Sequence, residues 1–260
     1  MELTKTRYLI LIFTLLVFTT CASTQSNLDK AREKDPQYQY NLGLFYLNNN
    51  NVDEAIKYFN KSLALNPKNF LAWNALGLAQ SMKGNFELSI QAFQKALEAN
   101  PQFTEAYNNL GTIYFELKQY DKAEAEYRKA LLDPNYNSKE LPYYNLARLY
   151  FVQNRLDEAY EYIQKAVQTK NRFAMAHNLR GLILEKIGNL DEAEAAFEQA
   201  VKIVPEDPTF LYDLAKAQFD NGEYLKAKEN FEKLLPKLVS QADRDAVKNY
   251  LEEIKKRIKE

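Results

Sequence analysis

Cysteine and histidine each occur once in the 260 residues, as Cys21 and His177. A zinc site built from Cys and His, which needs several such ligands, is therefore excluded, and so is a Cys–His nucleophile–base pair in the body of the chain. Glycine and proline are scarce, at seven and eight, which argues against a loop-rich or all-β protein. Neither charge dominates. The formal net charge is −1, with 34 basic residues dispersed among 35 acidic ones, so the basic stripe of a nucleic-acid binder is missing. No apolar run spans a bilayer either. The longest, Tyr8 to Phe18, has eleven residues, too short at about 1.5 Å per residue for a hydrocarbon core of about 30 Å. There is no glycine-rich phosphate loop, no zinc-ligand spacing and no Gly-x-Ser-x-Gly elbow. The sequence thus predicts no enzyme, no cofactor, no metal and no small-molecule substrate. What remains is a chain 46% hydrophobic with 18 tyrosines, which has ample material for a core.

That material is periodic. Small residues recur at Gly43, Gly77, Gly111, Ala147, Gly181 and Ala215, in steps of 34, 34, 36, 34 and 34 residues. Twelve residues after each stands a second small residue: Ala55, Ser89, Ala123, Ala159, Ala193, Ala227. Four residues further on is a large apolar side chain: Phe59, Phe93, Tyr127, Ile163, Phe197, Phe231. In the second copy Trp73, Leu76, Gly77 and Gln80 fall at i, i+3, i+4 and i+7, one face of a helix. Each copy therefore reads as two antiparallel helices, A and B. The small residue on A admits the large residue of B. Gly84, Gly188, Gly222, Asn50 and Asn154 fall at A–B turns, where left-handed backbone is needed. Pro67, Pro101 and Pro205 close copies, because proline cannot continue helix B. The rhythm breaks once, at Asp133-Pro134-Asn135-Tyr136-Asn137-Ser138, a net insertion of two residues.

Six copies of about 34 residues over residues 36–241 resemble the tetratricopeptide repeat. The resemblance implies an all-α fold, a right-handed superhelical solenoid of six helix-turn-helix repeats. Residues 242–260 read as a C-terminal capping helix, with Val247, Tyr250, Leu251, Ile254 and Ile258 in one apolar stripe. His177 occupies the repeat position of Trp73 and Tyr107 and reads as a packing residue, not a base. Acidic pairs such as Asp53-Glu54, Asp157-Glu158 and Asp191-Glu192 open B helices, where they meet the positive end of the helix dipole.

Residues 1–20 read as a signal peptide, with Lys5 and Arg7 before the apolar run. Phe18-Thr19-Thr20-Cys21 resembles a bacterial lipobox, with Phe18 and Thr20 standing where that family usually has Leu and a small residue. The resemblance implies lipidation of Cys21, and residues 21–35 then form a flexible tether. Ala22 beside the Cys fits outer-membrane sorting, with the protein facing the periplasm.

In the tetratricopeptide family the A helices line a concave groove that binds peptides or partner helices. Carried onto this sequence, the groove candidates are Tyr40, Asn74, Asn108, Phe115, Tyr144, Phe151, Asn178, Tyr212 and Phe219. Aromatics supply area and Asn offers both a donor and an acceptor to a bound backbone. The basic clamp by which some family members hold a C-terminal carboxylate is absent from the first three repeats. Lipobox, tether, six repeats and closing helix together resemble the type IV pilus pilotins, tetratricopeptide lipoproteins that help an outer-membrane secretin reach its place and assemble. That resemblance implies a secretin as protein partner. A general envelope adaptor for peptidoglycan hydrolases or outer-membrane assembly factors is the alternative.

Overall fold

The computed structural model describes residues 31–259, so the signal peptide, Cys21 and most of the expected tether lie outside the described residues. The tether was expected to remain irregular to residue 35, but residues 31–33 are helical. The Gln39 side-chain amide donates to the carbonyls of Arg32 and Glu33, at 3.3 and 3.1 Å, and fixes that turn.

No strand occurs among the described residues; helices alternate with short turns. The chain divides into two compact units, the first ending at Leu117 and the second beginning at Lys118. The first holds α1 (Pro36–Asn48), α2 (Val52–Leu65), α3 (Phe70–Met82), α4 (Phe86–Ala99) and α5 (Thr104–Glu116). The second holds α6 (Tyr120–Leu132), α7 (Glu140–Val152), α8 (Leu156–Thr169), α9 (Ala174–Ile187), α10 (Leu190–Ile203), α11 (Pro208–Asp220) and α12 (Tyr224–Leu234). A 3₁₀ turn (Leu235–Lys237) and α13 (Gln241–Arg257) follow. None of these helices is long and apolar enough to cross a membrane.

Local chemistry sets the helix starts. Asp35 and Asp207 cap α1 and α11, each accepting from backbone N–H groups, with Pro36 and Pro208 as first helical residues. Asn51 and Asn69 cap α2 and α3. Every A–B turn contains a left-handed residue: Asn50, Gly84, Lys118, Asn154, Gly188 and Gly222. Five of these are the Gly and Asn positions expected. Lys118, with φ +58°, adopts the conformation without the residue type that favours it.

Within a repeat, packing turns on one contact. A Cβ built on Gly43, Gly77 or Gly181 would stand 2.4, 2.6 and 2.5 Å from the rings of Phe59, Phe93 and Phe197. Those rings are fully buried, so the missing methyl is the space the ring occupies. Between repeats, the B helix packs on the next A helix: Ala55, Phe59 and Leu63 meet Ala72, Ala75, Leu76 and Ala79 in one cluster. The capping helix behaves as expected along most of its stripe. Val247 and Ile254 are buried with Leu211, Ala215 and Phe231, and Tyr250 and Leu251 pack against them. Ile258 departs from the stripe; it lies beyond the end of α13 and is exposed.

The insertion between α6 and α7 is anchored, not loose. Tyr136 is buried, the Asp133 carboxylate accepts from Asn135 N, and Lys139 Nζ donates to the Pro134 carbonyl. Nearby, Arg128 of α6 donates to Glu124, to the Tyr150 hydroxyl of α7 at 2.8 Å and to the Tyr162 hydroxyl of α8 at 3.0 Å. Burial, together with its hydrogen bond to Glu124, pushes the Tyr150 hydroxyl up to about 12.

Two outcomes follow. Gly77→Ala should destabilise the protein by about 1–3 kcal/mol through displacement of Phe93. Adding Phe93→Leu should return part of that loss, and a non-additive double-mutant cycle in thermal melts is the measurement. Lys118→Gly should raise stability by about 1 kcal/mol, since glycine removes the strain of a left-handed side-chain-bearing residue; denaturant midpoints would read it.

Candidate protein-binding surface

The A-helix stripe expected to bind partners is best followed one unit at a time. In the first unit, Tyr40 is half-buried with its ring 6.0 Å from Phe59. Asn74 accepts a 3.0 Å hydrogen bond from the Asn109 side chain, which links α3 to α5. Asn108 is buried, and Phe115 is half-buried. The side chains that do reach solvent on α3 are Leu71, Leu78 and Met82, the last 55% exposed. They fall at i, i+7 and i+11, flanking Asn74 on one stripe.

In the second unit, Tyr144 packs on Phe173 at 5.1 Å, and burial holds its hydroxyl above the usual tyrosine range. The Arg148 guanidinium sits over its ring. Phe151 is half-buried at the far end of α7. Asn178 is buried and donates to Asp213 at 2.9 Å, tying α9 to α11. Burial raises the Asp213 carboxyl despite that bond. Lys216 donates to both Glu185 and Asp220, at 2.6 and 2.8 Å. Its burial opposes the charge, but these bonds outweigh it and hold the ammonium above the usual lysine range. Tyr212 and Phe219 are taken up by the capping helix. Their rings lie 6.5 and 5.1 Å from Tyr250, which stacks on Phe231.

The expected groove is thus redistributed. Asn178, meant for a bound backbone, serves a neighbouring helix instead, and Tyr212 and Phe219 serve the cap. The reason is spacing: an Asn three residues before the small residue of one repeat lies beside the residue two before it in the next. Asn74–Asn109 and Asn178–Asp213 share that step of 35 residues. On the A helices of the second unit the exposed large apolar side chains are Leu141, Val152, Met175 and Ile187, with Met175 50% exposed. Leu71, Leu141 and Met175 share one repeat position, six before the small residue, and extending the register backwards by one turn would have found them.

His177 is buried as expected, with a defined task. Its Nε2 lies 2.9 Å from the Asn171 carbonyl, six residues earlier. A carbonyl only accepts, so Nε2 carries the hydrogen. Trp73 Nε1 donates in the same way to Pro67, and the Tyr107 hydroxyl to Pro101. The Gln39–Glu33 bond repeats the same step of six. Four chemically different side chains at one repeat position therefore fasten the chain where it enters helix A. Among the described residues no cluster of His, Cys, Asp or Glu could hold a metal ion.

Comparison with known proteins agrees with this architecture. Tetratricopeptide repeat profiles match residues 25–70, 40–102, 74–138 and 144–208, and a second such profile matches 187–249. The type IV pilus assembly protein PilF of Pseudomonas aeruginosa is 27% identical over 231 residues, which span 85% of this chain and 77% of PilF. The solved structure of Pseudomonas aeruginosa PilF superposes with a TM-score of 0.73 at 18% identity, over 84% of this chain and 99% of that one. PilW, described as a widely conserved type IV pilus biogenesis factor, gives 0.74 at 20% identity, over 82% and 97%.

The two exposed stripes predict separable effects. Met82→Ala with Leu78→Ala should weaken partner binding by about tenfold or more with a nearly unchanged melt. Tyr144→Ala should instead lower the melting temperature, because its ring is packed on Phe173. Circular dichroism melts beside partner titration distinguish the two.

Proposed function

The chain belongs to the tetratricopeptide-repeat family, and on that premise we propose that it is an outer-membrane-anchored protein-binding scaffold that assists localisation and assembly of a type IV pilus secretin. The observation that carries the reading is co-extension: the likeness to PilF spans most of both chains and does not stop at a shared pair of repeats. Such a scaffold binds and does not catalyse. Its affinity comes from exposed apolar stripes on the A helices, Leu71, Leu78 and Met82 in one unit and Leu141, Val152 and Met175 in the other.

In this reading Cys21, outside the described residues, carries the acyl chains. Two or more chains make membrane attachment effectively permanent, at about 0.8 kcal/mol per buried CH₂. Tethering then raises the local concentration of the binding surface beside the membrane without any new contact. The partner is an outer-membrane secretin.

The test is carried out in the native host. Palmitate labelling should be lost in Cys21→Ser. The secretin multimer recovered from outer-membrane fractions of that strain should fall several-fold, with secretin monomer appearing in the inner membrane. Cross-linking of the wild-type protein should capture secretin. Undiminished multimers in a strain lacking the protein would sink the secretin reading, and capture of peptidoglycan hydrolases in its place would assign the general envelope adaptor.

A further inference from the structure

In five repeats, the residue two after the small residue of helix A is covered by the preceding B helix. These are Ala79, Ile113, Leu149, Ile183 and Ala217, none more than 7% exposed. In the first repeat that position is Phe45, and it is 59% exposed. Tyr38 and Leu42 lie two turns and one turn before it on the same face of α1, both half-buried, and neither belongs to the cluster that packs α1 onto α2 and α3. Their counterparts Ala72 and Leu76, or Ala106 and Leu110, are buried. The leading face of α1 thus has an interior pattern that the described residues leave partly uncovered. The sequence upstream does not carry the matching stripe. One period before Val52, Ile56, Phe59 and Leu63 stand Phe18, Ala22, Gln25 and Asp29.

Three observations identify what covers this face. Helix α1 contains no charged residue in thirteen, and the cation beside the face, Arg32, whose guanidinium lies 5.8 Å from the Tyr38 ring centroid, suits anionic headgroups. On its leading face Phe45 is exposed and Tyr38 and Leu42 are half-buried, and aromatic side chains favour the headgroup level of a bilayer; Phe45 stands edge-on to Tyr46, which stacks on Tyr58 beneath Lys57 and Lys61. Finally, Cys21 lies ten residues before Ala31, a leash of roughly 35 Å at full extension. An anchored chain therefore keeps this face within reach of the membrane.

We propose that Tyr38, Leu42 and Phe45 of the first repeat form a membrane-docking face that seats the anchored protein against the lipid headgroups. The proposal rests on the reading of Cys21 as the lipid anchor. Docking would orient the first repeat relative to the bilayer, which a tether alone does not.

The test uses the full-length lipidated protein carrying Asn41→Cys, whose thiol is the only free one once Cys21 is acylated. A fluorophore on it is read in vesicles of phosphatidylethanolamine and phosphatidylglycerol containing a headgroup-nitroxide lipid. The expected result is strong quenching at this site and little at the same dye on Gln94→Cys. Phe45→Glu, with an unchanged melt, should reduce the docked fraction by about tenfold. Equal quenching at both sites, or quenching indifferent to Phe45→Glu, overturns the proposal. So does protection of the site only when a protein partner is added, which would assign the face to that partner. Mass spectrometry of the purified chain separates the two readings: absent acyl mass sinks the anchor, and acyl mass without quenching sinks only the docking face.

Discussion

A small residue of helix A against a large buried side chain of helix B is the contact from which each repeat is built, and in three repeats it is a missing methyl group against a ring. Gly43, Gly77 and Gly181 leave room for Phe59, Phe93 and Phe197, so helices A and B approach closely enough to make one hydrophobic layer. That layer is useful only because a second one forms on its far side, where Phe59 and Leu63 of one repeat meet Ala72 and Leu76 of the next. Burying a Phe contributes about 1.5–3 kcal/mol, and neither layer alone would offset the entropy of ordering two helices. The fold is consequently assembled from neighbours, and each end must be treated separately.

The two ends are treated differently. At the C-terminus α13 brings Tyr250 into an aromatic cluster with Phe231, Phe219 and Tyr212 and completes the last repeat. On α1 the described residues leave the leading face partly uncovered, with Phe45 largely exposed. A cap that consumes groove residues at one end, and an open apolar face at the other, give a serial fold a direction.

Polar groups set the spacing of the layers. The hydrogen bond from Gln39, Trp73, Tyr107 or His177 to a carbonyl six residues earlier fixes where four of the A helices begin. The Asn74–Asn109 and Asn178–Asp213 bonds then hold successive A helices in register. These bonds are made by side chains on the face where a partner would dock, so part of that face's polarity is already satisfied. What it offers a partner is chiefly apolar: Leu71, Leu78, Met82, Leu141, Val152 and Met175.

The sequence alone determined the repeat, its period, the two-helix unit, the position of the insertion and the closing helix. Small-to-large pairing and left-handed turn residues are local requirements, and local requirements leave a mark at fixed spacing. It also placed His177 among packing residues, because its register matched Trp73 and Tyr107. The tertiary structure decided which members of the A-helix stripe stay free. Asn178 cannot be recognised as consumed until the carboxylate of Asp213 is brought beside it, nor Tyr212 and Phe219 as covered until α13 turns back. The left-handed Lys118 left no signal, since lysine is not a residue type that marks that conformation. Exposure likewise belongs to the assembly: Phe45 and Ile113 occupy one repeat position and are both apolar, and only the packing around each makes one surface and the other core.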